Sequence, residues 1–262
     1  MGARGSVRSR VQYAQIAPTY DRRYEAFQYE GVASCLLSVA QAAPAERILE
    51  VGCGTGHWLT RLGAVCEYTY GLESSLPMLL QCHRDVRDRV VCGEAGCLPF
   101  ADSAFDLVFC VNAFHHFAHK QEFISQAARA LRSGGALAII GMDPHTGQDR
   151  WSLYHYFEGT READLARYPS AKSIGNWMTQ AGLVDVVAGT AEHIVDSLVG
   201  REALRSPFLE KSGTSQLVLL SEEAYAAGLA RMKADVLQAE KTGQPLEFVV
   251  DISLALVTGR AP

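Results

Sequence analysis

Nothing in this sequence approaches the roughly 20 consecutive apolar residues that cross a bilayer, so no integral membrane segment is expected. Positive charge is also scarce: 24 Lys and Arg stand against 29 Asp and Glu, for a net charge of −5. That balance offers no basic face to a nucleic-acid backbone. Cysteines number seven, at 35, 53, 66, 82, 92, 97 and 110, without a C-x-x-C pair or histidines at finger spacing. No metal site is therefore expected, and the scattered thiols read as small hydrophobes in a reducing cytoplasm. Arg4, Arg8 and Arg10 are followed by no apolar stretch, which argues against a secretory signal. Met1-Gly2 with Ser6 fits a myristoylation pattern formally, but a basic tail is the preferred reading. Internal repeats and low-complexity tracts are missing too, and no motif fixes an oligomeric state. What remains is a globular protein of 262 residues, 48% hydrophobic and 20% charged, large enough for one continuous core.

The informative stretch is Arg47 to Trp58, R-I-L-E-V-G-C-G-T-G-H-W. Ile48, Leu49 and Val51 have the character of a buried strand. The run breaks at Gly52, Gly54 and Gly56 and resumes as a helix through Trp58, Leu59 and Leu62. A strand turning into a helix through glycines exposes bare backbone and a positive helix terminus to a ligand. Glu50, just before the turn, argues against a phosphate there and suits a ligand with an ammonium end. A second strand, Tyr68 to Leu72, ends in Glu73, twenty-one residues after Gly52, where a carboxylate can accept from two ribose hydroxyls. A third strand, Arg89 to Cys92, leads into Gly93-Glu94-Ala95 and Leu98-Pro99-Phe100. A fourth follows from Phe105 to Val111.

Taken in order, these four motifs resemble the class I S-adenosylmethionine (SAM)-dependent methyltransferases, in particular the branch of the ubiquinone and menaquinone biosynthesis enzymes. The resemblance covers about half the chain, Tyr13 to Met142. It implies an α/β fold with a doubly wound, seven-stranded, mostly parallel sheet, and helical lid insertions. It further implies SAM as cofactor, with Glu50 facing the methionyl amino group and Gly52, Cys53, Gly54 and Gly56 shaping the floor. Glu73 would hold the ribose, with Ser74 and Met78 flanking the adenosine. Glu94 and Ala95 would meet the adenine edge, and Asn112 would line the methionyl end. The branch more often carries Asp at the positions of Glu73 and Glu94, a change that lengthens the reach and keeps the charge. A leader resembling Tyr13-Ala14-Gln15-Ile16-Ala17-Pro18-Thr19-Tyr20-Asp21 folds over the cofactor in that branch. Tyr13 and Tyr20 are thereby implied in cofactor binding, Tyr20 through a cation–π contact with the sulfonium; burial as ordinary core is the competing reading for both.

The expected organisation is one domain, 1–262, with a leader over 1–43, a SAM-binding half over 44–143, and lid or substrate insertions over 144–169 and 197–246. Helices are expected over Gly31 to Ala43, Leu76 to Arg84 and Glu122 to Leu131, the last stopped by Ser133-Gly134-Gly135. Gly135 to Met142 reads as the fifth strand, Leu183 to Ile194 as the sixth, and Phe248 to Val257 as an antiparallel seventh. Ser170 and Ser221 read as helix N-caps. Trp151, Tyr154, Tyr156, Phe157 and Tyr168 in the first insertion fill either a core or the wall of an acceptor pocket. His115 and His116, after the fourth strand, are the candidate catalytic residues: one imidazole as general base, or both as anchors of the loop. The expected reaction is methyl transfer to a small-molecule O, N or C nucleophile. A nicotinamide oxidoreductase and a non-catalytic SAM-binding scaffold are the competing functions, since glycine turns and an acid twenty residues on also serve dinucleotides.

Overall fold

Strand starts in this protein are tied down by one carboxylate. In the computed structural model, which describes residues 13–43 and 45–262, Asp106 accepts from the backbone N–H groups of Glu46 and Arg47 at 3.1 and 2.8 Å and pairs with Arg132 at 2.9 Å. The basic start and Pro44 lie outside the described residues. In chain order the elements are α1 (Arg22–Ala26), α2 (Glu30–Ala42), β1 (Arg47–Val51), α3 (His57–Leu62), β2 (Tyr68–Glu73) and α4 (Leu76–Leu80). Then come β3 (Val90–Cys92), β4 (Phe105–Val111), α5 (Lys120–Ala130), β5 (Leu131–Met142) and β6 (Arg150–Trp151). The chain continues with α6 (Ser152–Tyr156), α7 (Thr160–Arg167), α8 (Ala171–Gln180), β7 (Val184–Val199), α9 (Ser215–Val218), α10 (Glu222–Thr242) and β8 (Glu247–Arg260).

The sheet runs β3-β2-β1-β4-β5-β8-β6, with β7 on β8. β1 pairs in parallel with β2 and β4, β2 with β3, and β4 with β5, while β8 returns antiparallel to β5. This is the doubly wound, mostly parallel arrangement expected, with one addition. The two-residue β6 makes an eighth strand by pairing Arg150 and Trp151 with Asp251 and Val250. β1, β4 and the Ala136–Ile140 run of β5 are buried along nearly their whole length, as expected of parallel strands covered on both faces.

Several boundaries differ from expectation for identifiable reasons. The helix starting at Leu76 stops at Leu80 rather than Arg84, because His83 donates its backbone N–H to Thr55 O at 2.9 Å instead of continuing the helical ladder. The fifth strand begins at Leu131 rather than Gly135. Leu131 pairs with Phe105, Ala136 with Leu107, and the surplus residues between form a bulge through Gly134 at φ +77°. The sixth strand extends to Val199. The caps stand as read: Ser170 Oγ accepts from Ser173 N, Ser221 Oγ accepts from Ala224 N, and Gly243 closes α10 at φ +68°.

The chain divides into two compact units. The larger holds residues 28–143, 168–192 and 253–262; its core joins Leu49, Val108, Cys110, Phe123, Leu137 and Met178. The smaller is assembled from 13–27, 144–167 and 193–252. Its own core gathers Leu153, Tyr156, Phe157, Met232, Val236 and Phe248.

Candidate functional site

The site begins where β1 breaks. Gly52 and Cys53 both donate backbone N–H groups to Leu72 O, at 2.7 and 3.1 Å, hooking the turn over the end of β2. Gly52 sits at φ +77°, and a Cβ there would lie 2.5 Å from Ala113 Cβ. Gly56, at φ +84°, would place a Cβ 2.7 Å from Val86. Both the left-handed backbone and the packing therefore demand glycine. Below the turn, Glu50 is 1% exposed, and among the described residues its Oε2 has no hydrogen-bond partner. Burial, and then the nearby Glu73 carboxylate, push its pKa well above the ordinary range, opposed by the backbone N–H of Leu59. A buried carboxylate with a spare oxygen is electrostatically incomplete, and a cation is what completes it.

Glu73 closes β2. Its Oε2 accepts from Gly54 N at 3.0 Å and its Oε1 from Ser75 N at 2.8 Å, so the side chain bridges the glycine turn to the start of α4. Burial raises its pKa, and the backbone donors partly offset that rise. The sequence pattern gives Glu73 only as a ligand group; the bracing is visible in the structure alone. Ser74 beside it is exposed and Met78 is 1% exposed. Gly93 N donates to Glu73 O at 3.1 Å, which draws the exposed Glu94 and the buried Ala95 to the same end of the sheet. Asn112 follows β4 at φ +49°, donating its N–H to Ile140 O at 2.8 Å.

Glu50, the glycines, Cys53, Glu73, Ser74, Glu94, Ala95 and Asn112 thus gather at the carboxyl ends of β3, β2, β1 and β4. Ligands bind at that end of open α/β sheets, where the strand order reverses. An uncompensated buried acid there repels a pyrophosphate and suits an ammonium or sulfonium.

The histidines differ from each other. His115 is 6% exposed, lies face to face with Tyr168 (centroids 3.9 Å apart) and has Nε2 3.1 Å from Tyr168 Oη. His116 is half-buried, with its ring 3.8 Å from that of His115. Tyr168 reads from sequence as one more aromatic of the first insertion, yet it belongs to the larger unit. Fifty-three residues separate it from His115, and no local pattern links the two. Tyr13 and Tyr20 belong to the smaller unit, packed with Ile16 and Leu219. The Tyr20 ring carries the Arg23 guanidinium over it at 3.7 Å, so its cation–π partner in this structure is an arginine of its own segment.

Fold and site together define a class I SAM-dependent methyltransferase. The family model described as "Methyltransferase domain" matches residues 49–139. The phthiotriol/phenolphthiotriol dimycocerosates methyltransferase 1 of Mycobacterium ulcerans is 35% identical over 203 residues, covering 70% of this chain and 69% of that protein. The 27-O-demethylrifamycin SV methyltransferase of Amycolatopsis mediterranei is 34% identical over 102 residues, covering 36% of this chain and 38% of its own length. Among solved structures, a candidate methyltransferase from an antibiotic biosynthesis pathway of Anabaena variabilis aligns with a TM-score of 0.68 at 22% identity, covering 87% of this chain and 96% of that one. This last likeness is one of fold.

The chain belongs to the methyltransferase family, and it is an enzyme that uses SAM to methylate a small molecule. Among the described residues, no helix is long and apolar enough to cross a membrane, and no cluster of ligand side chains is suited to a metal.

Proposed function

We propose that this enzyme transfers the SAM methyl group to a hydroxyl oxygen of an apolar small molecule. The observation that carries the cofactor half is Glu50, a buried carboxylate with one oxygen unpartnered beneath a glycine turn. In this reading Glu50 faces the α-ammonium, and Gly52, Cys53, Gly54 and Gly56 form the floor. Glu73 adds the ribose hydroxyls to the backbone donors it already holds, which the spare lone pairs of a carboxylate permit. Ser74 and Met78 flank the adenosine, Glu94 and Ala95 border the adenine, and Asn112 lines the methionyl end. When bound, the cofactor supplies a methyl group on sulfonium, already electrophilic, so the protein's main task is to align the nucleophile and exclude water.

The acceptor half rests on the printed names of the relatives. One is named for phthiotriol and phenolphthiotriol dimycocerosates, and the other for 27-O-demethylrifamycin SV. Both names favour oxygen in an apolar molecule. The likeness of residues 13–21 and of the strand-end motifs to the ubiquinone and menaquinone branch supports an apolar acceptor as well. We assign acceptor selection to the smaller unit, whose segment 144–167 follows directly from β5, and give Tyr13 and Tyr20 a part in covering the cofactor. Seven free thiols favour a reducing, cytoplasmic setting, and the charge balance favours no nucleic-acid partner.

Calorimetry and a product screen test this. SAM and its demethylated product should bind while NADH does not, and labelled SAM should yield a methyl ether from a panel of apolar alcohols, amines and activated carbon acids. Tight NADH binding without SAM binding overturns the cofactor assignment. Methylated amines or carbon acids as the only products overturn the hydroxyl reading.

A further inference from the structure

Within the larger unit, the segment assigned to the adenine edge is a short bridge with two anchors. At one end Gly93 N donates to Glu73 O at 3.1 Å. Between that point and Leu98 stand Glu94 to Cys97, closed into a turn by Cys97 N donating to Glu94 O at 3.1 Å. The other anchor is a single side chain. Arg129, in the last turn of α5, donates from Nη1 to Phe100 O at 2.9 Å and from Nη2 to Leu98 O at 3.1 Å. Its remaining N–H groups go to Asp102 Oδ1 at 2.6 Å and to Gln126 Oε1 at 2.9 and 3.3 Å. All five donors of the guanidinium are thus committed, which holds the fork in one plane. A basic residue in the last turn of a helix ordinarily serves that helix's own carbonyls. Arg129 instead serves a loop 29 to 31 residues away. The ion pair with Asp102 does not account for this, because the Asp102 side chain is 76% exposed and surface pairs contribute little. Nor is the side chain needed as a tether. Ser103 N and Ala104 N donate to the backbone carbonyls of Arg129 and Ala130 at 3.0 and 2.8 Å, bonds that any residue at 129 keeps. What the guanidinium alone supplies is the placement of Leu98 and Phe100. With Gly93 fixed, that placement sets where Glu94 and Ala95 stand.

We infer that Arg129 is a positioning residue for the base of the cofactor: by clamping the Leu98 and Phe100 carbonyls it holds the Glu94–Ala95 edge where adenine is told from other purines. The inference rests on the reading above that sets Glu94 and Ala95 beside the adenine, and Arg129 acts only through that edge. Adenine presents an amine donor next to a ring-nitrogen acceptor, whereas hypoxanthine presents an oxo acceptor next to a ring N–H. The Glu94 carboxylate accepts and the Ala95 N–H donates, so a rigid edge matches the first base and opposes the second. An edge loosened at Leu98 adapts to either.

The test is calorimetry on the full chain with two probes, S-adenosylhomocysteine and S-inosylhomocysteine, run well below the melting temperature of each variant so that unfolding does not enter. The wild type should prefer the adenine compound by about thirtyfold or more, within the span for hydrogen bonds to a charged group. Arg129→Met keeps the apolar stem and removes the fork. It should weaken S-adenosylhomocysteine binding about tenfold, leave S-inosylhomocysteine within about twofold, and so bring the preference down to about threefold. Arg129→Lys keeps the charge beside Asp102 but cannot span two carbonyls. It should lose the preference as well, and it stands in if Arg129→Met does not fold. Asp102→Asn leaves the clamp in place and should bind both probes within about twofold of the wild type. A general loosening of the fold weakens both probes together. An unmoved ratio in the Arg129 variants, whether both affinities hold or both fall, therefore overturns the clamp, as does a lost preference in Asp102→Asn. A wild type that binds both probes alike overturns the inference and leaves SAM as the cofactor. One that binds neither overturns the proposed cofactor site with it.

Discussion

The two units of this protein are built on opposite plans. The larger places its site within a run of neighbouring residues, Glu50 to Asn112, each at the end of a strand whose partner is close in sequence or reached by one crossover. The smaller draws Phe157, Met232 and Phe248 from three distant segments into one core. In the first, backbone geometry does most of the placing, through glycines at positive φ and donors hooked onto Leu72 O and Glu73. In the second, side-chain packing does it, and Gly228 leaves no room for a Cβ against the Phe157 ring. A site made of backbone needs few residue identities but strict ones. A core made of side chains accepts many sequences, provided volume is kept.

Phe157→Ala should break this contrast most forcefully if it is wrong. Phe157 is fully buried, so the truncation should destabilise the smaller unit by about 3–5 kcal/mol. Hydrogen exchange should show the loss across α6 and α10, while β1, β2 and β4 keep their protection. An equal loss of protection in those strands would mean that the two plans are not energetically separate.

A smaller effect is expected at the strand ends. Glu73→Ala should weaken SAM binding by about 1.5–3 kcal/mol, the range for hydrogen bonds to a charged group. It should also lower the melting temperature of the ligand-free protein, because Gly54 N and Ser75 N lose their acceptor. Unaltered melting would remove the bracing role.

Glu50→Gln should separate stability from function by sign. The folded-state pKa of Glu50 is raised by burial and by Glu73, so the ligand-free protein holds a proton that the unfolded chain has released. Its stability therefore falls as pH rises from the ordinary carboxylate range toward the raised value. Glu50→Gln should abolish that slope and melt higher at neutral pH, yet bind SAM more weakly by about 1.5 kcal/mol. In the wild type, SAM affinity should rise with pH over the same window, since the bound cation favours the ionised carboxylate. A calorimetric series without that rise would show that Glu50 faces no cation.

The mildest change is Ser221→Ala, which removes the cap from α10 and should cost about 1 kcal/mol, read as a small drop in melting temperature with kcat unaffected. A drop in kcat would tie the helix to the reaction.

How much was legible from sequence follows the same division. The apolar runs of β1, β4 and β5, the glycine turn, Glu50, Glu73 and the Ser170 and Ser221 caps are local signals, each written within a few residues, and they suffice to place the strand ends and the winding of the sheet. The shortened α4, the bulge at Leu131 and the added strand β6 were not legible, because each depends on a partner far along the chain: Thr55 for His83, Phe105 for Leu131, Asp251 for Arg150. Nor did the pattern say that Tyr168 leaves its aromatic neighbours to lie on His115, or that Arg23 covers Tyr20. Periodicity and turn chemistry are properties of a short segment and survive in the sequence alone. Which aromatic meets which imidazole is settled only when distant segments compete for the same buried volume, and that competition belongs to the tertiary structure.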